Sequence, residues 1–166
     1  MIWRSLWEVI DIIPIRHQIA LKDLRSCPLF NGMGDTELSL ISGLVEIRRL
    51  KDGEELAQEG QPGEEIFILF DGALEVKQKL TLFSEDEEQG RSCRDKMLIK
   101  LKSEGHPAVG EMSLFEDSYL RTATMRAIGD SIVGVIAKNA LMKLAEQNQR
   151  LGFRLFYNTV LSSPNA

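Results

Sequence analysis

Two cysteines and two histidines in 166 residues leave little material for a metal cage or a disulfide framework. Cys27 and Cys93 stand far apart, as do His17 and His106, and neither pair has a zinc spacing. The thiols are expected to be buried or free in a reducing cytoplasm. Positive charge is not in excess either. With 20 Lys and Arg against 25 Asp and Glu, the net charge is −5, so no overall field draws the chain to DNA, RNA or an anionic bilayer, and only a local basic patch is left open. No apolar run is long enough to cross a membrane. The most apolar terminal stretch, Met1 to Ile15, is interrupted by Arg4, Glu8, Asp11 and Pro14 and is followed by no small-residue cleavage site, so a cytoplasmic protein without a membrane span is expected. Aromatic residues are scarce at 7%, yet 43% hydrophobic and 27% charged residues suffice for one domain with a real core. The length does not suit two.

Within the first segment, Trp3, Leu6, Trp7, Ile10 and Ile13 recur at helical spacing on one stripe that Pro14 ends. Such a stripe packs on its own domain, meets a partner or a second copy, or rests on a membrane surface; two tryptophans on it favour a contact. A second helix is expected over about Ile15 to Ser26, stopping before Cys27-Pro28. A third runs from Asp35 to Leu44, with Asp35 as N-cap and Leu38, Leu40, Ile41 and Leu44 as its apolar residues. From Val45 to Val135 the texture changes to short runs: Val45–Leu50, Glu55–Gln58, Ile66–Phe70, Ala73–Lys79, Met97–Leu101, Thr122–Ala127 and Ser131–Val135. Asp52-Gly53, Glu59-Gly60, Pro62-Gly63, Asp71-Gly72, Glu104-Gly105 and Ile128-Gly129-Asp130 separate them. Short strands at this spacing imply a sandwich or a barrel. Between Leu80 and Lys96 lies an acidic run followed by basic residues; it lacks the alternating ligands of a calcium loop and reads as a solvated loop. From Lys138 onward, Leu141, Leu144, Ala145, Leu151, Leu155, Phe156 and Val160 restore helical spacing, with Gly152 as a candidate bend. Helices, then β, then helices is not the alternation of a parallel α/β sheet.

The stretch from Ala108 to Thr124 is the least explained by packing. Gly110-Glu111 opens a helical turn, and Arg121 follows ten positions after Glu111 at the start of a strand. A turn of helix exposes backbone N–H groups to an anion, Gly110 permits close approach to the backbone, and a guanidinium fork matches a phosphate. A carboxylate beside a phosphate is repelled unless it accepts from neutral donors. Glu111 is therefore expected to meet ribose hydroxyls or to pair with Arg121. Sugar and phosphate together imply a nucleotide.

These residues resemble the cyclic nucleotide-binding domain family, found in catabolite-activator-type regulators, protein kinase regulatory subunits and cyclic nucleotide-gated channels. The family's phosphate-binding cassette looks like Gly110-Glu111-Met112-Ser113-Leu114 followed by Arg121-Thr122-Ala123-Thr124. The likeness extends upstream through Pro28-Leu29-Phe30, Glu37-Leu38, Gly53, Glu59-Gly60, Pro62-Gly63-Glu64 and Asp71-Gly72, so that it covers roughly Leu24 to Leu161. It implies a mainly β fold, an eight-stranded jelly-roll-like barrel with N-terminal helices and C-terminal hinge or lid helices. It divides the chain into an extension over 1–23, the binding domain over 24–161 and a tail over 162–166. The implied ligand is cyclic AMP or cyclic GMP, without a metal. The resemblance places Arg121 on the phosphate, Glu111 on the ribose 2′-hydroxyl, Gly110 and Ser113 at the backbone approach, and Thr122 near phosphate and purine. Met112 and Ala123 belong to the same set.

Three departures stand out. Val109 replaces the aromatic residue usual before Gly-Glu, a packing change. The acidic segment from Glu85 to Arg94 lengthens the hairpin before the cassette. The chain stops where a catabolite-activator-type regulator continues into a helix-turn-helix, so nucleic-acid binding by this chain alone is not expected. The leading expectation is a non-catalytic receptor whose C-terminal helix shifts on binding and relays the signal to a protein effector or a homodimer. Homodimerisation would use the stripes at Trp3/Trp7 and Leu151/Leu155. On the helix from about Ala140 to Leu161, Phe153, Arg154, Phe156 and Tyr157 are candidates to cover the purine. The alternative is a module of the same fold that serves interaction or oligomerisation and binds no nucleotide; it gives no reason to keep both Glu111 and Arg121. An enzymatic jelly roll would need clustered histidines, which His17 and His106 do not supply. Adenine and guanine both stay open, since the Thr122 hydroxyl can meet either a guanine amino group or the phosphate.

Overall fold

The computed structural model of the chain describes residues 21–82, 92–115 and 120–162. The Trp3/Trp7 stripe, most of the acidic run and the end of the tail lie outside the described residues. Among these residues helix α1 (Leu21–Ser26) comes first, followed by a 3₁₀ turn (Pro28–Phe30) and helix α2 (Asp35–Ser42). The N-cap of α2 is Gly34, one residue before the expected Asp35, and its N–H donates to the Glu37 carboxylate at 2.7 Å.

Six antiparallel strands then form one sheet: β1 (Glu46–Leu50), β2 (Glu55–Ala57), β3 (Glu65–Leu82), β4 (Ser92–Lys102), β5 (Ala108–Val109) and β6 (Thr124–Ala137). The main path is β1-β6-β3-β4, with β2 paired to β6 and β5 to β3. This corrects the expectation of an eight-stranded jelly-roll barrel, because the described strands make a six-stranded sheet that is not closed into a barrel. The physical reason lies in two turn signals that do not turn the chain. Asp71-Gly72 and Gly129-Asp130 fall inside β3 and β6, so two pairs of expected strands fuse. At Gly72, φ is +83° and the register against β6 shifts on both sides of Asp71. The residue serves a bulge instead of a reversal.

The apolar run in β3 serves both faces of the sheet, as strand alternation requires. Ile66 and Ile68 join Leu24, Phe30, Leu38, Ile41 and Leu114 in a core on the helical side. Phe67 and Leu69 join Leu50, Leu56, Met125, Val133 and Val135 in a second core on the opposite side. After β6 come α3 (Lys138–Gln147) and α4 (Gln149–Ser162). The break falls at Asn148, not at Gly152. Asn148 donates its N–H to the Leu144 carbonyl at 3.1 Å, and its side-chain oxygen accepts from the Leu151 N–H at 3.2 Å, so one residue closes α3 and opens α4. Gly152 stays helical and lets α4 approach α3: a Cβ there would lie 3.0 Å from the Ala145 carbonyl oxygen. Among the described residues no helix is long and apolar enough to cross a membrane.

Candidate functional site

Arg121 is fixed first through its backbone. Its N–H donates to the Gln61 carbonyl at 2.8 Å, its own carbonyl accepts from the Gly60 N–H at 2.8 Å, and Leu120 bridges Pro62. Next to this clamp, the Thr124 hydroxyl accepts from the Glu59 N–H at 3.1 Å. The turn between β2 and β3, with Gly60 at φ +82°, therefore holds the entry to β6.

The side chain of Arg121 turns inward and is only 5% exposed. Nη2 donates to the Glu65 carbonyl at 2.8 Å, and the guanidinium carbon lies 4.8 Å from the centroid of the Phe67 ring, a cation–π contact. The guanidinium also lies against Gly110, where φ is +86° and a Cβ would come within 2.6 Å of Arg121 Nη1 and 3.1 Å of the Glu65 carbonyl oxygen. Glycine is required here twice over, for the backbone angle and for the space.

Gly110 leads into a 3₁₀ turn over Glu111–Phe115. Ser113, fully buried, donates its hydroxyl to the Gly110 carbonyl at 2.7 Å, and its N–H donates to the same oxygen at 3.1 Å. Leu114 anchors the turn in the helical-side core. Glu111 lines a cavity of about 180 Å³ with Pro28, Leu29, Pro107 and Ala108. Burial pushes its carboxyl above the usual carboxylate range, since a charge there has lost its water. Beside it, burial pushes the Cys27 thiol up to about 12, with the Glu111 charge a smaller contribution in the same direction.

Of the sequence-derived set, Gly110, Ser113 and Arg121 come together, and Ala123 is buried two residues beyond Arg121. Glu111 adjoins them through Gly110, but among the described residues no ion pair joins its carboxylate to Arg121. Met112 and Thr122 are exposed. Val109 packs against the core that holds Phe67. Sequence reasoning did not find Phe67, the Glu65 carbonyl or the Gly60-Gln61 clamp; an apolar run and a backbone carbonyl carry no chemical signature, and only the strand register shows where they lie. His106 serves architecture: its ring meets Phe70 edge to face at 5.5 Å, and Nε2 lies 3.8 Å from Asp23 Oδ1. Among the described residues no group of three or more His, Cys, Asp or Glu could hold a metal ion.

Residues 47–148, more than half of the chain, match the family model described as cyclic nucleotide-binding domain. No curated protein matches the chain. In fold the chain is similar to the N-terminal domain of a transcriptional regulator from Streptomyces coelicolor A3(2), at 23% identity and TM-score 0.66, covering 83% of this chain and 89% of that one. It is also similar to a cyclic nucleotide-binding domain from Methylobacillus flagellatus KT, at 19% identity and TM-score 0.67, covering 85% of this chain and 72% of that one. A third similar structure is the catabolite activator protein of Thermus thermophilus, at 20% identity and TM-score 0.65, where 80% of this chain spans 56% of that one. At these identities the likeness is one of fold.

Proposed function

The chain belongs to the cyclic nucleotide-binding domain family, a non-catalytic regulatory module, and from that membership we propose that it is a receptor for cyclic AMP or cyclic GMP. The observation that carries this reading is the buried Arg121 guanidinium lying against the bare backbone of Gly110. A buried cation beside a main chain without a side chain is suited to a compact anion, and the fork geometry suits a phosphate. In this reading the cyclic phosphate lies between Arg121 and the turn that follows Gly110. Glu111 accepts a hydrogen bond from the ribose 2′-hydroxyl, which supplies the donor that its desolvated carboxylate needs. The purine lies towards Thr122 and is covered from α4, and the movement of α4 carries the signal to a protein effector.

Titration calorimetry of the purified chain with cyclic AMP and with cyclic GMP tests the reading. Saturable heat with at least one of them, lost in Arg121→Ala, is the expected result. No heat and no thermal shift with either nucleotide at millimolar concentration would favour the module that has kept the fold as an interaction surface.

A further inference from the structure

Strand β3 meets the Arg121 side chain in two ways. At the edge of the guanidinium, Nη2 donates to the Glu65 carbonyl at 2.8 Å. Two residues along the same strand, the Phe67 ring meets the cation, with the guanidinium carbon 4.8 Å from the ring centroid. The Glu65 carboxylate points elsewhere, to Arg48 at 3.5 Å. The ring itself is firmly placed. Phe67 is fully buried in a strand paired on both sides, with Val109 of β5 and Val135 of β6 as its register partners, and it belongs to the core that holds Leu69, Met125 and Val133.

We propose that Phe67 is a positioning residue for the phosphate: its ring holds the Arg121 guanidinium so that Nη1 stays beside the bare backbone of Gly110. This role rests on the receptor reading given above. Two properties of an aromatic ring suit it to the task. The first is that it spends none of the cation's donors. All five N–H groups of an arginine lie in the guanidinium plane, so a ring that attracts the charge through its π system leaves them to Glu65 and to an anion. A carboxylate in the same place would occupy two donors and repel the phosphate. The second is compensation. A guanidinium on a residue only 5% exposed has lost most of its water, and the negative face of the ring restores part of that stabilisation. A leucine fills much of the same space and does neither. With the cation already ordered by β3, the entropy of immobilising a long side chain is lost in folding and not in binding. The ring therefore strengthens phosphate binding without touching the ligand.

The test alters the charge distribution of the ring and leaves its shape nearly unchanged. Phe67 is replaced in the full chain by phenylalanines carrying one, two and three ring fluorines, which withdraw electron density from the face in steps. Each variant, together with Phe67→Leu, is titrated calorimetrically with cyclic AMP and cyclic GMP, and circular dichroism checks that the fold is kept. The expected result is a Kd that rises step by step along the series, towards about two-fold to thirty-fold above wild type in Phe67→Leu. A ring that merely fills space gives the same Kd across the fluorinated series, even where Phe67→Leu binds weakly for want of packing, and that result overturns the proposal. If Phe67→Leu does not fold, the fluorinated series decides alone. Tighter binding on fluorination also overturns it, because ring and phosphate would then compete for the cation. A wild type that binds neither nucleotide removes the receptor reading and this role with it, whereas wild-type binding with a flat series removes the role of Phe67 alone.

Discussion

Arg121 holds the fold and, in the proposed receptor, offers the charge for a ligand. Arg121→Ala removes the donor to the Glu65 carbonyl, at a cost of about 1–3 kcal/mol in stability. If the proposed function holds, it also removes the phosphate partner, and binding is expected to weaken by about 2–5 kcal/mol, or roughly 30-fold to several thousand-fold in Kd. Arg121→Lys keeps the charge without the planar fork and is expected to fall between wild type and Arg121→Ala by calorimetry. At Glu111 stability and the proposed function oppose each other. Its carboxyl is raised above 4.5 by burial, so the folded state binds a proton more tightly than the unfolded one. Stability linked to this group is complete below its unfolded value and is lost as pH rises through its folded value. Glu111→Gln is therefore expected to raise Tm at pH 7.5, with the gain vanishing as pH falls towards 4.5, while weakening nucleotide binding. A lower Tm than wild type at neutral pH would contradict this. Residue type and spacing marked Glu111 as an acceptor and Arg121 as a fork, and the structure brings that fork against Gly110. Where the Glu111 carboxyl sits was not legible in the sequence, because a cavity bounded by Pro28 and Pro107 arises only from packing.

Among the elements, the junctions were harder to read than the strands. Asp-Gly is a turn signal because glycine reaches positive φ, but positive φ serves a bulge equally well, and at Gly72 the partner strand decides. Ser131 on β6 accepts from the Ala73 N–H at 3.2 Å, a stabilising contact that keeps β3 running across the bulge. Short expected strands therefore fused, and the sandwich or barrel they implied became a six-stranded sheet. At the end of the molecule, Gly152 drew attention by its low helix propensity, whereas Asn148 broke the helix through its capping capacity. Gly110 joins β5 to the cassette turn under the tightest constraint. Gly110→Ala is expected to destabilise the domain by about 1–3 kcal/mol by chemical denaturation, from the backbone angle alone. It also pushes the Arg121 guanidinium aside, so nucleotide affinity falls further than the loss of stability would explain. Unchanged affinity in a folded Gly110→Ala protein would separate Arg121 from the ligand.

At the scale of the molecule, a helical layer covers one face of the sheet and the Arg121 side chain lies towards the other, next to Phe67. The order of helices around a β block was legible from hydrophobic periodicity; the way the layers lock together was not. Asn158 is an example, a buried amide whose carbonyl partners at Leu29 and Asn31 lie more than a hundred residues away. Asn158→Ala leaves those carbonyls without this donor and is expected to cost about 1–3 kcal/mol for each one left unsatisfied. Urea unfolding measures it, and a change below half a kilocalorie, about the size of a neutral surface substitution, would show that water replaces the amide. Strand β3 has a wider consequence. Between Ile66 and Ile68 on one side and Phe67 on the other stands a bulkhead a single main chain thick. Trimming one methylene from Ile68 to give valine acts on the plinth beneath the guanidinium without crossing any intermediate layer. At these positions, repairs to the hull and adjustments to the instrument are one operation.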